Sequence, residues 1–293
     1  MPSTEVLCVG EVLWDALPAG LFLGGAPFNV ACHLRAAGIA ASLVSRVGDD
    51  RLGDEALRRA VRYGVGVDLV QVDAELPTGF VRVNVDDAGN PEYDILEPAS
   101  WDAIAVTDAL LKRGKAARAI VFGSLAQRHA VSRDTIRRLW DTQALLVFDV
   151  NLRPPFDDKE VLRESLRRAD VVKISDEELP RIADWFGLRG SLRDTVSALA
   201  EHFDCGVVCI SRGSSGAVLW HDGNWTEHEG FTVEVRDTVG AGDAFLAVLL
   251  KGLLGGEPDS AILPHANRIG AYVSTQYGAV PSDQGATVAR SNS

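Results

Sequence analysis

At 293 residues the chain is long enough for one large α/β domain with its own core, and it needs no disulfide staples. Its net charge of -12 excludes an extended nucleic-acid face, and the four cysteines, Cys8, Cys32, Cys205 and Cys209, lack the paired spacing of a zinc site, so reduced and mostly buried thiols are expected. No basic segment precedes an apolar one at the amino terminus and the longest apolar helical stretch is interrupted by Lys251, which points to a cytoplasmic protein with no membrane partner.

Apolar runs at 6–10, 42–47, 119–123, 145–150, 171–174 and 207–210 predict core strands. Helical periodicity at 29–37, 53–63, 134–140, 159–168, 191–203 and 258–277 predicts the helices between them. This alternation predicts a single domain over 1–293, built on a mostly parallel sheet with helices on both faces. One stretch breaks the pattern: 78–84 alternates polar and apolar residues, 86–90 is turn chemistry, and 91–96 is strand-like again. That is an exposed hairpin, and with 11–23 it would make a small projecting sheet, or stand as a plain surface hairpin. Residues 231–235 read as a further strand, and 282–293 as a loose tail.

The chemistry concentrates in Asp237-Thr238-Val239-Gly240-Ala241-Gly242-Asp243-Ala244-Phe245, a small-residue turn that opens into an apolar helix. Gly240 and Gly242 let the backbone approach a ligand, and the N–H groups around Ala241 at the helix start favour an anion, phosphate being the usual occupant. Asp243 at that point can take a proton from an attacking hydroxyl, although Asp is also an ordinary helix cap. A second motif, Leu23-Gly24-Gly25-Ala26-Pro27-Phe28-Asn29, enters a helix through a Gly-Gly turn. Gly24 and Gly25 remove bulk and the Asn29 amide matches vicinal hydroxyls, or the turn is simple punctuation.

The two motifs together, about two hundred residues apart with αβ alternation between them, resemble the signatures of the ribokinase-like (PfkB) carbohydrate kinases. Within that family Glu11-Val12-Leu13-Trp14-Asp15, the Gly-Gly turn and Gly123-Ser124-Leu125-Ala126-Gln127-Arg128 look most like bacterial fructokinases. The resemblance implies a three-layer α/β/α domain whose small sheet, from about 11–23 and 76–100, closes over the sugar as a lid and can pair two copies into a homodimer. It implies Asp15, Gly24, Gly25, Asn29, Asn151 and Arg153 at the sugar; Asn151 and Arg153 belong to an Asp149-Val150-Asn151-Leu152-Arg153 element at a strand's C-terminal end, the ligand edge of an open sheet, where Asn151 could hold a phosphate or a sugar oxygen and Arg153 a phosphate or a sugar-acid carboxylate. Lys173, Arg212, Gly213, Gly216 and Asn267 are implied at the nucleotide together with Gly240 and Gly242. Glu178 would reach Mg²⁺ through water, with Ser175 where the family has Asn, or serve with Glu177 as a helix N-terminal charge. Asp237, with carbonyls near Val239, Val273 and Gly278, would enclose a potassium ion.

Other chemistries lack their motifs: there is no Gly-x4-Gly-Lys-Ser/Thr, no Gly-x-Gly-x-x-Gly after the first strand and no Gly-x-Ser-x-Gly. The expectation is an ATP-dependent kinase acting on a sugar's primary hydroxyl, with Asp243 as base and Gly240, Ala241 and Gly242 as anion cradle. Fructose leads, ahead of 2-keto-3-deoxygluconate and then ribose or a nucleoside. A non-catalytic sugar or nucleotide sensor on the same fold is the alternative from another class, which the retained Asp243 disfavours.

Overall fold

The computed structural model describes residues 5–17, 20–85 and 91–281; the expected turn at 86–90 and tail at 282–293 lie outside the described residues. In chain order the first third forms β1 (Val6–Val9), β2 (Leu13–Leu17), β3 (Gly20–Gly24), α1 (Ala26–Ala36), β4 (Ala41–Gly48), α2 (Arg51–Arg62), β5 (Gly66–Asp73), β6 (Gly79–Val85) and β7 (Pro91–Ile95). The middle follows as α3 (Asp108–Ala116), β8 (Ala119–Gly123), α4 (Ala130–Leu139), β9 (Leu145–Asp149), α5 (Lys159–Leu166), β10 (Val171–Ser175), α6 (Leu179–Phe186) and α7 (Leu192–Phe203). The chain then runs through β11 (Val207–Ser211), β12 (Ala217–His221), β13 (Asn224–His228), α8 (Ala241–Gly255) and α9 (Asp259–Ser274).

Among the described residues two sheets form, one of nine strands in the order β13-β12-β11-β10-β9-β8-β1-β4-β5 and one of four in the order β3-β2-β6-β7. From β11 to β5 the large sheet is parallel, and only β12 and β13 run antiparallel at its edge. Strand side chains alternate between faces, so β1 sends Val6 and Cys8 into one apolar cluster and Leu7 and Val9 into another. The first cluster holds α1, α2, α8 and α9, the second α3 to α7. All parallel strands end at one edge, which is where open α/β sheets carry their ligands. The four cysteines are buried and unpaired. No helix among the described residues is long and apolar enough to cross a membrane.

The expected strand at 231–235 is absent: the chain there has no regular structure. Gly230 turns at φ 83 and donates its N–H to His228 Nδ1 at 2.9 Å, which takes the backbone off the sheet edge before it can pair. The hairpin and its partner strands do form the small sheet, with Trp14 opposite both Leu23 and Phe80.

Side chains root the small sheet in the large domain. Buried Trp14 donates from Nε1 to Leu52 O at 3.0 Å, under the Arg59 guanidinium. Asp50 caps α2 through Gly53 N–H at 2.8 Å and receives both the N–H and the hydroxyl of Thr78 at the entrance to β6. Beyond β7, Arg128 donates from Nε and Nη2 to the two Asp102 oxygens at 2.7 Å each, lies 4.0 Å over the Trp101 ring and reaches Leu96 O at 2.9 Å. Both members of that pair are buried. Arg128→Met is therefore expected to lose about 3–5 kcal/mol of stability in urea unfolding, because Asp102 is left as a buried unpaired charge, and Asp102→Asn added to it should restore a large part of the loss.

Candidate active site

Gly240, the residue ahead of α8, has φ 79, and a Cβ there would stand 2.5 Å from Ala279 Cα, so only glycine fits the turn. The helix starts at Ala241, inside the small-residue turn. Ala241 N–H is bonded to Thr238 O at 3.2 Å, whereas the N–H groups of Gly242 and Asp243 have no partner among the described residues. They are the orphan donors of a helix N-terminus, a ready anion site.

Asp243, in this first turn, is buried and receives a 2.8 Å hydrogen bond from Asn29 Nδ2 on α1. Burial, then the neighbouring Asp149 charge, pushes its carboxyl up to about 6, against the pull of the Asn29 hydrogen bond, Lys173 and Arg153. A carboxylate tuned into that range is suited to general-base work near neutral pH.

Lys173, in β10, pairs with Asp149, at the end of the adjacent β9, at 2.9 Å, both side chains being buried. Burial pulls the ammonium down, but the charge and hydrogen bond of Asp149, helped by Asp243 and Glu178, outweigh it and leave Lys173 above its usual range. A Cβ on Gly242 would lie 3.2 Å from Lys173 Nζ, so this permanent cation stands beside the anion site.

Toward the small sheet, Gly25 precedes α1 with φ 108, and a Cβ there would meet Glu11 O at 2.4 Å. Glu11 is buried, with Oε1 receiving Ala26 N–H at 3.3 Å and Oε2 without a hydrogen-bond partner among the described residues. Burial pushes it up to about 7, with Asp243 adding to the shift and the two backbone hydrogen bonds and Arg153 opposing it. Asp15, in β2, rises to about 6, chiefly by burial and further by Asp237, with Arg153 opposing. The Asp15 carboxyl abuts Gly24 across the β2–β3 pair. Arg153 is exposed and donates to its own neighbour Leu152 O at 2.9 Å, and its charge acts on Glu11, Asp15 and Asp243 alike. Asn151, just after β9, holds φ 40, a conformation few side chains adopt and one that clusters at functional sites.

The structure thus brings Asp15, Gly24, Gly25, Asn29, Arg153, Lys173, Gly240, Gly242 and Asp243 to the C-terminal edge of the sheet, with the Asn151 backbone beside them. Other expected residues are engaged elsewhere. Both Glu178 oxygens take backbone N–H groups, from Leu152 at 2.5 Å and Ser175 at 2.8 Å, so this side chain ties the loop after β9 to β10. Arg212 pairs with Glu227 on β13 at 2.8 Å, and in the short turn that follows Gly213 faces open space while Gly216 packs against the backbone of His228 and Gly230. Asn267 is buried and donates to Leu263 O at 2.8 Å within α9. Asp237 takes Val239 N–H on one oxygen and Gly278 N–H on the other, each at 3.0 Å, and Val273 O accepts from Gln276 N–H.

Glu11 was not singled out by sequence reasoning. Its sole signal there is a carboxylate at the end of a fully apolar strand, directly after a glycine.

Known proteins share this arrangement of sheet and helices. The family model described as pfkB family carbohydrate kinase matches residues 17–284. A fructokinase of Escherichia coli is 30% identical over 297 residues, covering 95% of this chain and 95% of its own. The structure of a Xylella fastidiosa fructokinase with bound ATP superposes with a TM-score of 0.84 at 24% identity, over 99% of each chain. A Vibrio cholerae O395 fructokinase double mutant in a fructose, ADP and potassium ion bound form superposes at 0.80 with 24% identity, over 95% of this chain and 94% of the other. The two structures establish the ribokinase-like fold. With the family matched over nearly its whole length and a full-length relative at 30% identity, this chain belongs to the pfkB family of carbohydrate kinases, phosphotransferases that use an alcohol group as acceptor.

Proposed function

We propose that this kinase moves the γ-phosphoryl group of ATP to the primary hydroxyl of fructose. The observation that carries the reading is Asp243: a buried carboxylate, fixed by Asn29 from α1, in the same helical turn as two unbonded N–H groups and beside Lys173. As the hydroxyl oxygen bonds to phosphorus, its O–H bond breaks and the proton passes to an Asp243 oxygen, while the bond from phosphorus to the bridging oxygen breaks and ADP leaves. The cradle from Gly240 through Ala241 and Gly242 to Asp243, with Lys173, stabilises charge on the transferring group.

Asp15, Gly24, Gly25 and Asn29 hold the sugar in this scheme, and Asn151 and Arg153 face it from the sheet edge. In this scheme the turn at Gly213 and Gly216 runs along the nucleotide, flanked by Arg212 in its pair with Glu227 and by Asn267 in its bond within α9. Mg²⁺, when bound, would neutralise charge on the nucleotide phosphates. No set of three His, Cys, Asp or Glu side chains among the described residues is grouped to hold a metal, so the protein's part is an outer contact, for which Glu178, pinned by two N–H groups with lone pairs to spare, is suited. Asp237 and the carbonyls of its turn offer the hard oxygen donors that fit potassium. The small sheet over this edge serves as the lid of a single domain spanning 1–293, and it is the face expected to pair two copies, with Leu21 exposed on β3.

A second substrate has a specific observation in its favour. The exposed Arg153, whose charge acts on the carboxyls of the sugar side, could pair with the carboxylate of 2-keto-3-deoxygluconate. ADP release with Mg-ATP across fructose, 2-keto-3-deoxygluconate, ribose, glucose and adenosine decides between them: turnover greatest with fructose is expected, and preference for the keto acid would transfer the assignment to it.

A further inference from the structure

Helix α1 reaches both the turn at Asp243 and the loop packed behind it. Asn29 and His33 are one helical turn apart on one face, and whereas Asn29 holds Asp243, His33 Nε2 lies 2.9 Å from the carbonyl oxygen of Ala279. That oxygen is part of the wall behind the cradle: a Cβ built on Gly240 would stand 2.7 Å from it.

We propose that His33 is a positioning residue for the phosphate cradle, fixing the loop after α9 against Gly240 so that the first-turn N–H groups of α8 keep their aim. The inference rests on the reading of that turn as the γ-phosphate site. A carbonyl only accepts, so Nε2 carries the hydrogen, and burial, which lowers His33 to about 4 against the Ala279 bond, keeps the ring neutral over the working pH range. The loop has no regular structure of its own from 276 to 281. Among the described residues its side-chain hydrogen bonds to the rest of the fold are to Asp237, which receives Gly278 N–H, and to His33 one residue later, beside a looser contact of the Arg236 guanidinium over the Tyr277 ring. Asp237 also receives Val239 N–H, so the loop is stitched to the cradle by one side chain and to α1 by the other. The space between the loop and Gly240 is too small for even a methyl group, so a displacement of the loop is passed on to Gly240.

The test compares His33→Leu, which removes the donor, with His33→Gln, whose amide reaches the same carbonyl, in the full chain. For His33→Leu, kcat should fall on the order of 10- to 100-fold with the sugar KM within about threefold, the cost of a small misalignment of reacting groups. His33→Gln should recover most of the loss. Affinity for the non-hydrolysable analogue adenylyl imidodiphosphate should weaken in His33→Leu and return in His33→Gln. If His33→Leu does not accumulate as folded protein, His33→Ala, with room for a water at Ala279 O, replaces it. A lowered melting temperature with kcat unchanged per folded molecule would overturn the proposal and leave His33 a core residue. Absence of turnover in the wild type with every sugar would defeat the substrate reading, and equal analogue binding by all variants would still defeat this one.

Discussion

Asp243→Asn should fold, bind ATP and lose roughly 10²- to 10⁴-fold in phosphoryl transfer, the usual cost of removing a positioned general base. The amide keeps the shape and the contact to Asn29 but has no site for the hydroxyl proton. The same substitution should stabilise the protein at pH 7.5, by about 1–3 kcal/mol, since it removes a buried negative charge that native packing disfavours. Retention of more than about a tenth of wild-type activity would exclude Asp243 as the base.

The wild-type pH profile follows from the same groups. Asp243 and Asp15 at about 6 and Glu11 at about 7 all lie above their unfolded values near 4, so between those limits the native state holds more protons than the unfolded chain. Their contribution to stability therefore declines as pH rises from about 4 to 7, while activity rises as Asp243 loses its proton near pH 6. Denaturant midpoints and initial rates at matched pH values should show these opposite trends, and Glu11→Gln should flatten the first.

Lys173→Met should abolish measurable transfer and destabilise the fold by about 3–5 kcal/mol, because it strips the partner from Asp149 while that carboxylate stays buried with Oδ2 unbonded. A structural and a phosphate-binding role separate in the double variant Lys173→Met with Asp149→Asn. Removing both charges should return much of the stability, yet no activity if the ammonium beside Gly242 meets the transferring phosphate. Recovery of turnover in the double variant would confine Lys173 to holding β9 and β10 together.

Most of the fold was legible from local pattern. The six core strands are short apolar runs between helical periodicities, and in a parallel sheet covered on both faces such runs have few other places to go. Elements with weaker patterns escaped: β5 is half-exposed at the sheet edge, and β12 and β13 are an antiparallel addition whose outer strand is largely polar. The apolar alternation at 231–235 misled because Gly230 turns the chain away, a backbone event that alternation cannot register.

The site divides in the same way. Gly24, Gly25, Gly240, Gly242 and Asp243 are readable because a turn that must admit a ligand restricts residue type locally, and the sequence determined both motifs and the order of elements between them. Tertiary structure alone decided that Asn29 meets Asp243 across 214 residues, that Lys173 neutralises Asp149, that Glu178 and Asn267 turn to backbone groups, and that Glu11 is buried within reach of the Asp243 charge. These outcomes depend on which helix packs beside which strand end and on how completely water is excluded there, and neither distance nor desolvation is encoded in any short stretch of chain.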